Sequence, residues 1–170
     1  MANLQQAQST ILGIDPGYGR LGWAVAQQQG SGLKQIDLGC IETNPNLDLF
    51  ERYLEMEQKL QKIIEQYQPN QAAIETLFFC NNVTTAMKVA ESRGIVIACL
   101  MKNGLKISQY NPKQIKETTT GYGNADKKAV EKMIRMEFDL RNKKVLDDAI
   151  DALAVILTHS IQSKNRKYYA

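Results

Sequence analysis

Residues 11–19 read ILGIDPGYG, and this stretch decides the fold of the chain. An apolar run that ends at Pro-Gly is typical of a buried strand that leads into a tight turn. Alternate side chains share one face of a strand, so Gly13 lies on the same side as Asp15 and leaves open space beside its carboxylate. A carboxylate at the end of a buried strand either caps the following turn or binds a positively charged group. This stretch alone leaves both roles of Asp15 open.

The composition is that of an ordinary globular protein. The 170 residues are 44% hydrophobic and 23% charged, with a net charge of +3. This length predicts one domain, residues 1–170, with a full core. Residues 1–8 and 164–170 are chain ends that we expect to be flexible. We see no signal peptide and no apolar run of membrane length, so we expect a cytoplasmic protein that does not enter a membrane.

Two further features of the composition bear on possible ligands. The cysteines are widely spaced and lack a CxxC pair, which argues against a disulfide framework and a structural zinc site; they are Cys40, Cys80 and Cys99. Residues 113–144 contain nine Lys or Arg and five Asp or Glu. This local excess of positive charge suits a polyanion, although a solvated helical face has a similar composition.

Turn signals divide the chain into short apolar runs and longer segments with helical periodicity. The predicted strands are residues 11–15, 23–26, 33–43, 72–75 and 105–110. The predicted helices are residues 49–67, 82–101, 127–138 and 145–161, with another that begins at Pro112 and with Asn124 as the cap before residue 127. This order predicts an α/β fold with a mixed five-stranded sheet, three antiparallel strands followed by two parallel ones, flanked by helices.

Four carboxylates lie in apolar sequence and form a candidate metal site. Glu75 ends a short buried strand, as Asp15 does. Asp148 and Asp151 are three residues apart and share one face of the last helix. Asp147 starts a different row of that helix, and a ligand assignment shifted to it by one position stays open. Such a set suits two hard divalent cations, Mg²⁺ with Mn²⁺ as an expected substitute, and without metal the mutual repulsion should raise the pKa values.

The sequence resembles the RuvC family of Holliday-junction resolvases. The resemblance extends from about Ile11 to Ser160 and rests on four segments in the family's order and spacing, ILGIDPGYGRLGW, AAIETLFF, GYGNADK and DDAIDALAVILTH. It implies a ribonuclease H-like fold and a homodimeric, Mg²⁺-dependent endonuclease with two metal ions per active site. Such an enzyme nicks opposed strands of four-way junction DNA in recombination and repair, with RuvA and RuvB as partners. The metal-binding acids it implies are Asp15, Glu75, Asp148 and Asp151.

The resemblance also implies roles for several basic and aromatic residues. Lys116 and Lys127 match basic positions near the family's active site, where they contact the scissile phosphate or its neighbours. Phe78 matches an aromatic residue that stacks on a base at the opened crossover, although a phenylalanine beside Phe79 also suits a core. Further phosphate contacts to the junction arms are expected from Lys113, Lys128 and Lys132.

The helix of residues 82–101 corresponds to the family's dimer helix. Its stripe of small residues and methionines permits close approach of another element, which is either the sheet or a second subunit. The stripe consists of Met87, Ala90, Gly94, Ile97, Ala98 and Met101.

Three other functions compete with junction resolution. Another ribonuclease H-like nuclease, acting on RNA or an RNA–DNA hybrid, would have the same metal site, so that site does not separate it from a resolvase. The choice of substrate depends on the dimer geometry and the basic surface. An ATPase of the actin and Hsp70 type needs two lobes around its nucleotide, and 170 residues supply one. A junction-binding protein without catalysis would gain nothing from carboxylates that face phosphates.

Overall fold

A computed structural model describes residues 9–77, 83–140 and 143–168, and within them the chain forms five strands and five helices. The strands are β1 (Thr10–Asp15), β2 (Arg20–Gln29), β3 (Gly32–Glu42), β4 (Gln71–Glu75) and β5 (Lys106–Tyr110). The helices are α1 (Leu49–Tyr67), α2 (Val83–Lys102), α3 (Pro112–Thr120), α4 (Lys127–Glu137) and α5 (Asp147–Tyr168). The predicted α/β fold is confirmed.

The sheet is mixed, as predicted, with the strand order β3-β2-β1-β4-β5. β1, β2 and β3 pair antiparallel, whereas β4 pairs parallel to β1 and β5 pairs parallel to β4. Ile14 of β1 lies opposite Ile74 of β4. The next residues, Asp15 and Glu75, therefore end neighbouring parallel strands at the same edge of the sheet.

Helices cover both faces of the sheet, and β1 shows how the faces divide. Ile11 packs into a cluster with residues of α3, α4 and α5, whereas Leu12 and Ile14 pack into a cluster with residues of α1 and α2. All three side chains are buried. Burial of a side chain of this size contributes roughly 1.5–3 kcal/mol. A register slip by one residue would exchange the two faces and is strongly disfavoured.

Gly13 allows α5 to pack directly against β1. A Cβ at this position would lie 2.4 Å from the backbone oxygen of Ala152 and 2.5 Å from Cγ1 of Ile156. The open space expected beside Asp15 is therefore filled, because close-packed interiors leave few voids and the helix backbone takes the place of a side chain. The missing side chain instead sets how closely α5 approaches the strand.

β2 is longer than the sequence pattern predicts. It begins at Arg20 rather than Trp23 and ends at Gln29. Its backbone pairs with β3 along this whole length, from Arg20 opposite Glu42 to Gln29 opposite Gly32, with a register shift between Val25 and Ala26. The polar residues of β2 are held in the strand by this pairing, which a pattern of apolar residues does not reveal.

Two helix boundaries also differ from the prediction. Asp126, rather than Asn124, caps α4, and its Oδ1 accepts a hydrogen bond of 2.7 Å from the amide of Ala129. α5 continues past Ile161 to Tyr168, so residues 164–168, which we expected to be flexible, have a helical backbone. Residues 1–8 and 169–170 lie outside the described residues. Within the described ranges we find no helix with the length and apolar character needed to cross a membrane.

Candidate active site

Backbone packing brings the four predicted acids to one edge of the sheet. Asp15 and Glu75 end the neighbouring strands β1 and β4. Asp148 and Asp151 lie in the first two turns of α5. The start of this helix is held against β2 at Gly22, where a Cβ would lie 2.0 Å from the carbonyl oxygen of Asp148. Glycine is therefore required at this contact.

The pKa values of three acids reflect burial and mutual proximity. Burial, together with the charges of Asp151 and Asp148, raises the pKa of Asp15 to about 7, although the charge of Lys127 opposes the shift. Burial likewise raises the pKa of Glu75 to about 8, together with the charges of Asp15 and Asp151. The pKa of Asp151 is also raised, chiefly by burial. A bound cation would relieve this repulsion.

Two basic side chains lie on the carboxylates of α5, one from each side. Lys127 Nζ lies 3.0 Å from Oδ2 of Asp151 and 3.7 Å from Oδ2 of Asp147. Arg20 Nη2 lies 3.1 Å from Oδ2 of Asp148. The structure thus places Lys127 beside the predicted acids. Arg20 was not among the predicted site residues.

The exposed fractions of the neighbouring aspartates separate their roles. The Asp147 side chain is 66% exposed, whereas those of Asp148 and Asp151 are 28% and 27% exposed. Asp148 faces β2 and β3, and Cys40 Sγ lies 3.8 Å from its Oδ2. This geometry favours Asp148 over Asp147 as the member of the acidic set.

Lys116 and Lys127 line a shallow depression beside Glu75 and Asp151. The charges of both lysines lower the pKa of Glu75 and so oppose the effect of burial. The remaining lining of the depression is largely apolar and is formed by Pro112, Ile115, Val130 and Ala154. Acids and lysines that meet in one depression can bind cations and phosphate oxygens side by side.

The donor set fits hard divalent cations in its chemistry. All four candidate ligands are carboxylates, the oxygen donors that Mg²⁺ and Mn²⁺ prefer. The pKa values of two of them, Asp15 and Glu75, are raised chiefly by burial, which a bound cation would offset. In the conformation described, no three His, Cys, Asp or Glu side chains of residues 9–77, 83–140 and 143–168 are close enough to hold a metal ion. Joint coordination of one ion by three of these acids would therefore require their side chains to rotate from the conformation described.

The remaining predicted DNA-binding residues lie on other surfaces. Lys113 is exposed and packs along the loop before α4, where a Cβ on Gly123 would lie 3.0 Å from Lys113 Cγ. Lys128 and Lys132 are exposed one turn apart on α4 and line a separate shallow surface. Phe78 lies outside the described residues.

The small-residue stripe of α2 faces solvent rather than the sheet. Met87 is 58% exposed and Met101 is 66% exposed. Between them Ala90, Gly94 and Ala98 are also exposed, whereas Ile97 packs against the core. Among the α2 side chains that the structure describes, those buried against the rest of the chain are Ser92, Val96, Cys99 and Leu100.

Several side chains that sequence reasoning did not identify hold the turn between β1 and β2. Ser92 Oγ donates a hydrogen bond of 2.9 Å to the carbonyl of Gly17, and Thr43 Oγ1 donates one of 3.2 Å to that of Gly19. Arg52 Nε in turn donates to Thr43 Oγ1 over 2.9 Å. These residues come from just after β3, from α1 and from α2, all far from the turn in sequence, and no local pattern marks them. They fix the backbone that follows the candidate ligand of β1.

His159, the single histidine, is structural and lies away from the acids. It is buried, and its Nε2 donates to Gln71 Oε1 over 2.6 Å, while Nδ1 lies 2.9 Å from the Tyr110 hydroxyl. Gln71 begins β4, whereas Glu75 ends it. His159 lies eleven residues after Asp148, which is about 16 Å along the axis of a straight helix at ~1.5 Å per residue. This separation keeps it away from the acids.

Comparisons with known proteins give one consistent family. The family model of the crossover junction endodeoxyribonuclease RuvC matches residues 11–159. The RuvC of Petrotoga mobilis is 42% identical over 149 residues, which cover 88% of this chain and 91% of that protein. The RuvC of Brachyspira hyodysenteriae is 43% identical over 155 residues, which cover 91% and 94% of the two chains.

A solved structure agrees with these matches. The structure of T. thermophilus RuvC in complex with a Holliday junction substrate has a TM-score of 0.85 at 26% identity and covers 92% of this chain and 96% of that one. The ribonuclease H-like fold predicted from the sequence is thereby confirmed. The matched residues include the four candidate ligands and both lysines of the depression. The chain therefore belongs to the crossover junction endodeoxyribonuclease RuvC family.

Proposed function

We propose that this protein is a nuclease that resolves four-way Holliday junctions by paired, symmetric hydrolysis of two opposed DNA strands. One observation carries the proposal: four carboxylates and two lysines meet at the edge of a sheet whose fold is that of the RuvC family. Relatives that are 42% and 43% identical to this chain are named crossover junction endodeoxyribonucleases. The T. thermophilus relative was solved with a Holliday junction substrate.

Nucleases of this family depend on metal ions. We propose that Asp15, Glu75, Asp148 and Asp151 hold two Mg²⁺ ions, with Mn²⁺ as a substitute. When bound, such ions supply Lewis-acid stabilisation of the negative charge that develops in phosphodiester hydrolysis. The buried acids of β1 and β4 stay ionised most easily when a cation is present, because burial raises their pKa values.

Lys127 and Lys116 act directly on the DNA in this proposal. Both line the depression beside Glu75 and Asp151, where a scissile phosphate would lie. Each ammonium group can donate a charge-assisted hydrogen bond to a non-bridging phosphate oxygen. Lys127 must first leave Asp151, and its 58% exposed side chain has the freedom to do so. It then orients the phosphate and stabilises its charge.

A homodimer through α2 would supply two active sites for one junction. The exposed stripe from Met87 to Met101 presents small residues at Ala90, Gly94 and Ala98, and such a surface permits close approach of the same helix from a second copy. An isologous dimer places identical sites about a two-fold axis, which matches the two opposed strands of a four-way junction.

The basic residues away from the site would bind the arms of the junction. Lys128 and Lys132 are exposed on α4, and Lys113 is exposed on α3. Their charges suit phosphate contacts that position the DNA without reading its sequence. We further propose that Phe78 stacks on a base at the crossover, that RuvA and RuvB are partners, and that the enzyme acts on DNA in the cytoplasm.

Cleavage of defined substrates tests the proposed function. A synthetic four-way junction, a duplex, a flap and an RNA–DNA hybrid are incubated with the full chain in Mg²⁺ and, separately, in EDTA. We expect paired symmetric nicks in the junction alone, only with Mg²⁺, and none with the Asp15→Asn variant. The Glu65→Gln variant, which changes an exposed acid of α1, serves as the matched control. Cleavage of the hybrid in preference to the junction would instead identify a ribonuclease H-like enzyme of different specificity.

A further inference from the structure

Arg20 lies on Asp148 in the same way that Lys127 lies on Asp151. Its Nη2 is 3.1 Å from Asp148 Oδ2, and Lys127 Nζ is 3.0 Å from Asp151 Oδ2. Each of the two candidate ligands of α5 therefore has a basic partner, and the partners come from different parts of the fold, β2 and α4. Lys127 matches a position at which the family has a basic residue. The resemblance implies no role for Arg20.

The backbone around Arg20 is fixed in the sheet, whereas its side chain is half exposed and held only by ion pairs at the surface. Arg20 pairs with Glu42 across β2 and β3, and two residues later Gly22 is in contact with the backbone of Asp148. The side chain is 49% exposed, and its Nε lies 3.4 Å from Oε1 of Glu42. The guanidinium can therefore leave Asp148 without any movement of the strand and still remain at the edge of the site.

From this geometry we propose that Arg20 is a substrate-binding residue that exchanges Asp148 for a DNA phosphate when divalent cations occupy the acids. The inference rests on the proposed function. In the metal-free protein Arg20 neutralises Asp148. If a divalent cation, with twice the charge of the guanidinium, occupied the acids, Arg20 would leave the Asp148 carboxylate. The released guanidinium then donates two hydrogen bonds to a phosphate of the bound strand, the bidentate geometry that arginine favours.

If this exchange occurs, removal of the Arg20 guanidinium should raise the affinity for divalent cations and lower the affinity for the junction. Without the guanidinium, Asp148 has no basic competitor, so divalent cations bind the free protein more tightly. Without the same group, the loaded protein loses a phosphate contact, so the junction binds more weakly. A residue that merely stabilised the fold would not strengthen metal binding.

The first experiment measures metal binding to the full chain without DNA. Isothermal titration with Mn²⁺ compares the wild type with Arg20→Gln and Arg20→Lys. We expect Arg20→Gln to bind Mn²⁺ about two- to fivefold more tightly, the range for loss of a competing exposed ion pair. Arg20→Lys keeps the positive charge and stays close to the wild type. Lys59→Gln removes a paired cation of α1 and is the control, because its partner Glu55 is not a candidate ligand.

The second experiment measures junction binding by fluorescence anisotropy in Ca²⁺ and in EDTA. We expect Arg20→Gln to weaken binding about tenfold in Ca²⁺, as for loss of a charged hydrogen-bond donor, and by much less in EDTA. Arg20→Lys should weaken binding by a smaller factor, because an ammonium group cannot bind a phosphate in the bidentate manner.

The Mn²⁺ titration and the junction-binding measurement each test whether Arg20 exchanges Asp148 for a DNA phosphate. Unchanged or weaker Mn²⁺ binding by Arg20→Gln overturns it, as does an equal loss of junction affinity in Ca²⁺ and EDTA. Thermal unfolding of each variant shows whether it folds. If Arg20→Gln does not fold, Arg20→Lys is compared with the wild type in both binding measurements instead. If the wild type fails to nick junctions, the proposed function fails, yet the Mn²⁺ titration still reports whether Arg20 competes for Asp148.

Discussion

Gly22 and Asp148 touch through their backbones: a Cβ on Gly22 would lie 2.0 Å from the Asp148 carbonyl oxygen. This contact fixes the start of α5, and with it two of the four candidate ligands, against β2. We predict that Gly22→Ala lowers the free energy of unfolding by about 2 kcal/mol or more, because backbone must move to admit the methyl group. Nicking should fall further than the folded fraction, because Asp148 moves with the helix. Urea unfolding and nicking rates measured at low temperature check this.

Gly32→Ala is the matched control for that substitution. A Cβ on Gly32 would lie 3.8 Å from the carbonyl oxygen of Gln29, which is an ordinary contact. Its stability and nicking rate should remain close to those of the wild type. Equal nicking by the Gly22→Ala protein would show that the position of Asp148 does not depend on this contact.

The metal-free protein should lose stability as the pH rises, because burial raises the pKa of Asp15 from its ordinary 3.8 to about 7. Between these values the folded protein binds more protons than the unfolded chain, so the free energy of unfolding falls across this range. Glu75, with a pKa raised to about 8, acts in the same direction. We predict that Asp15→Asn is more stable than the wild type by on the order of 2–4 kcal/mol at pH 8 in EDTA. The two proteins should converge near pH 4.

The Asp148→Asn variant tests whether removal of any acid at the site would stabilise the metal-free protein, or only removal of a buried one such as Asp15. Asp148 has an ion pair with Arg20 at 3.1 Å, which the substitution removes, so we expect no stabilisation. Urea titrations at pH 5 and pH 8 measure both variants. An Asp15→Asn protein no more stable than the wild type at pH 8 would argue against a buried, repelled carboxylate at this position.

The four candidate acids could be predicted from the sequence because each lies in a recognisable local pattern. Asp15 and Glu75 follow short apolar runs, and parallel pairing of those runs brings their ends together. Asp148 and Asp151 have helical spacing in an apolar helix. The spacing could not decide between Asp147 and Asp148, because that choice depends on how far the helix is rotated against β2. The structure favours Asp148 through its lower exposure.

The features that the sequence did not predict depend on contacts between distant segments. Arg20 reaches Asp148 across 128 positions of the chain, and its neighbours give no sign of this partner. Gly13 was expected to leave open space beside Asp15, whereas α5 packs directly on it and on Gly22. Such roles arise from packing geometry, which residue type and periodicity do not encode locally.

Lys127 should matter for catalysis far more than for stability. We predict that Lys127→Met lowers the nicking rate by about 10²–10³-fold, the range for loss of one donor that stabilises transition-state charge. The stability change should stay within about 1 kcal/mol, because its ion pair with Asp151 involves a lysine side chain that is 58% exposed. Single-turnover nicking and thermal unfolding give the two readouts. If the Lys127→Met variant nicked junctions at the wild-type rate, Lys127 would have no role in catalysis.

The exposed stripe of α2 should form the dimer interface, and Gly94 lies at its centre. Apart from its chain neighbours and the adjoining backbone of α2, no atom of the described residues lies within 4 Å of a Cβ built on Gly94, so a side chain there does not disturb the fold of the chain. We predict that Gly94→Arg is a folded monomer in sedimentation equilibrium, because a charged side chain prevents close helix packing. Gln58→Arg adds the same charge to an exposed position of α1 and should remain dimeric. With Gly94→Arg, paired nicks in a junction should give way to single nicks, since one protomer supplies one site. A dimeric Gly94→Arg protein would place the interface on another surface.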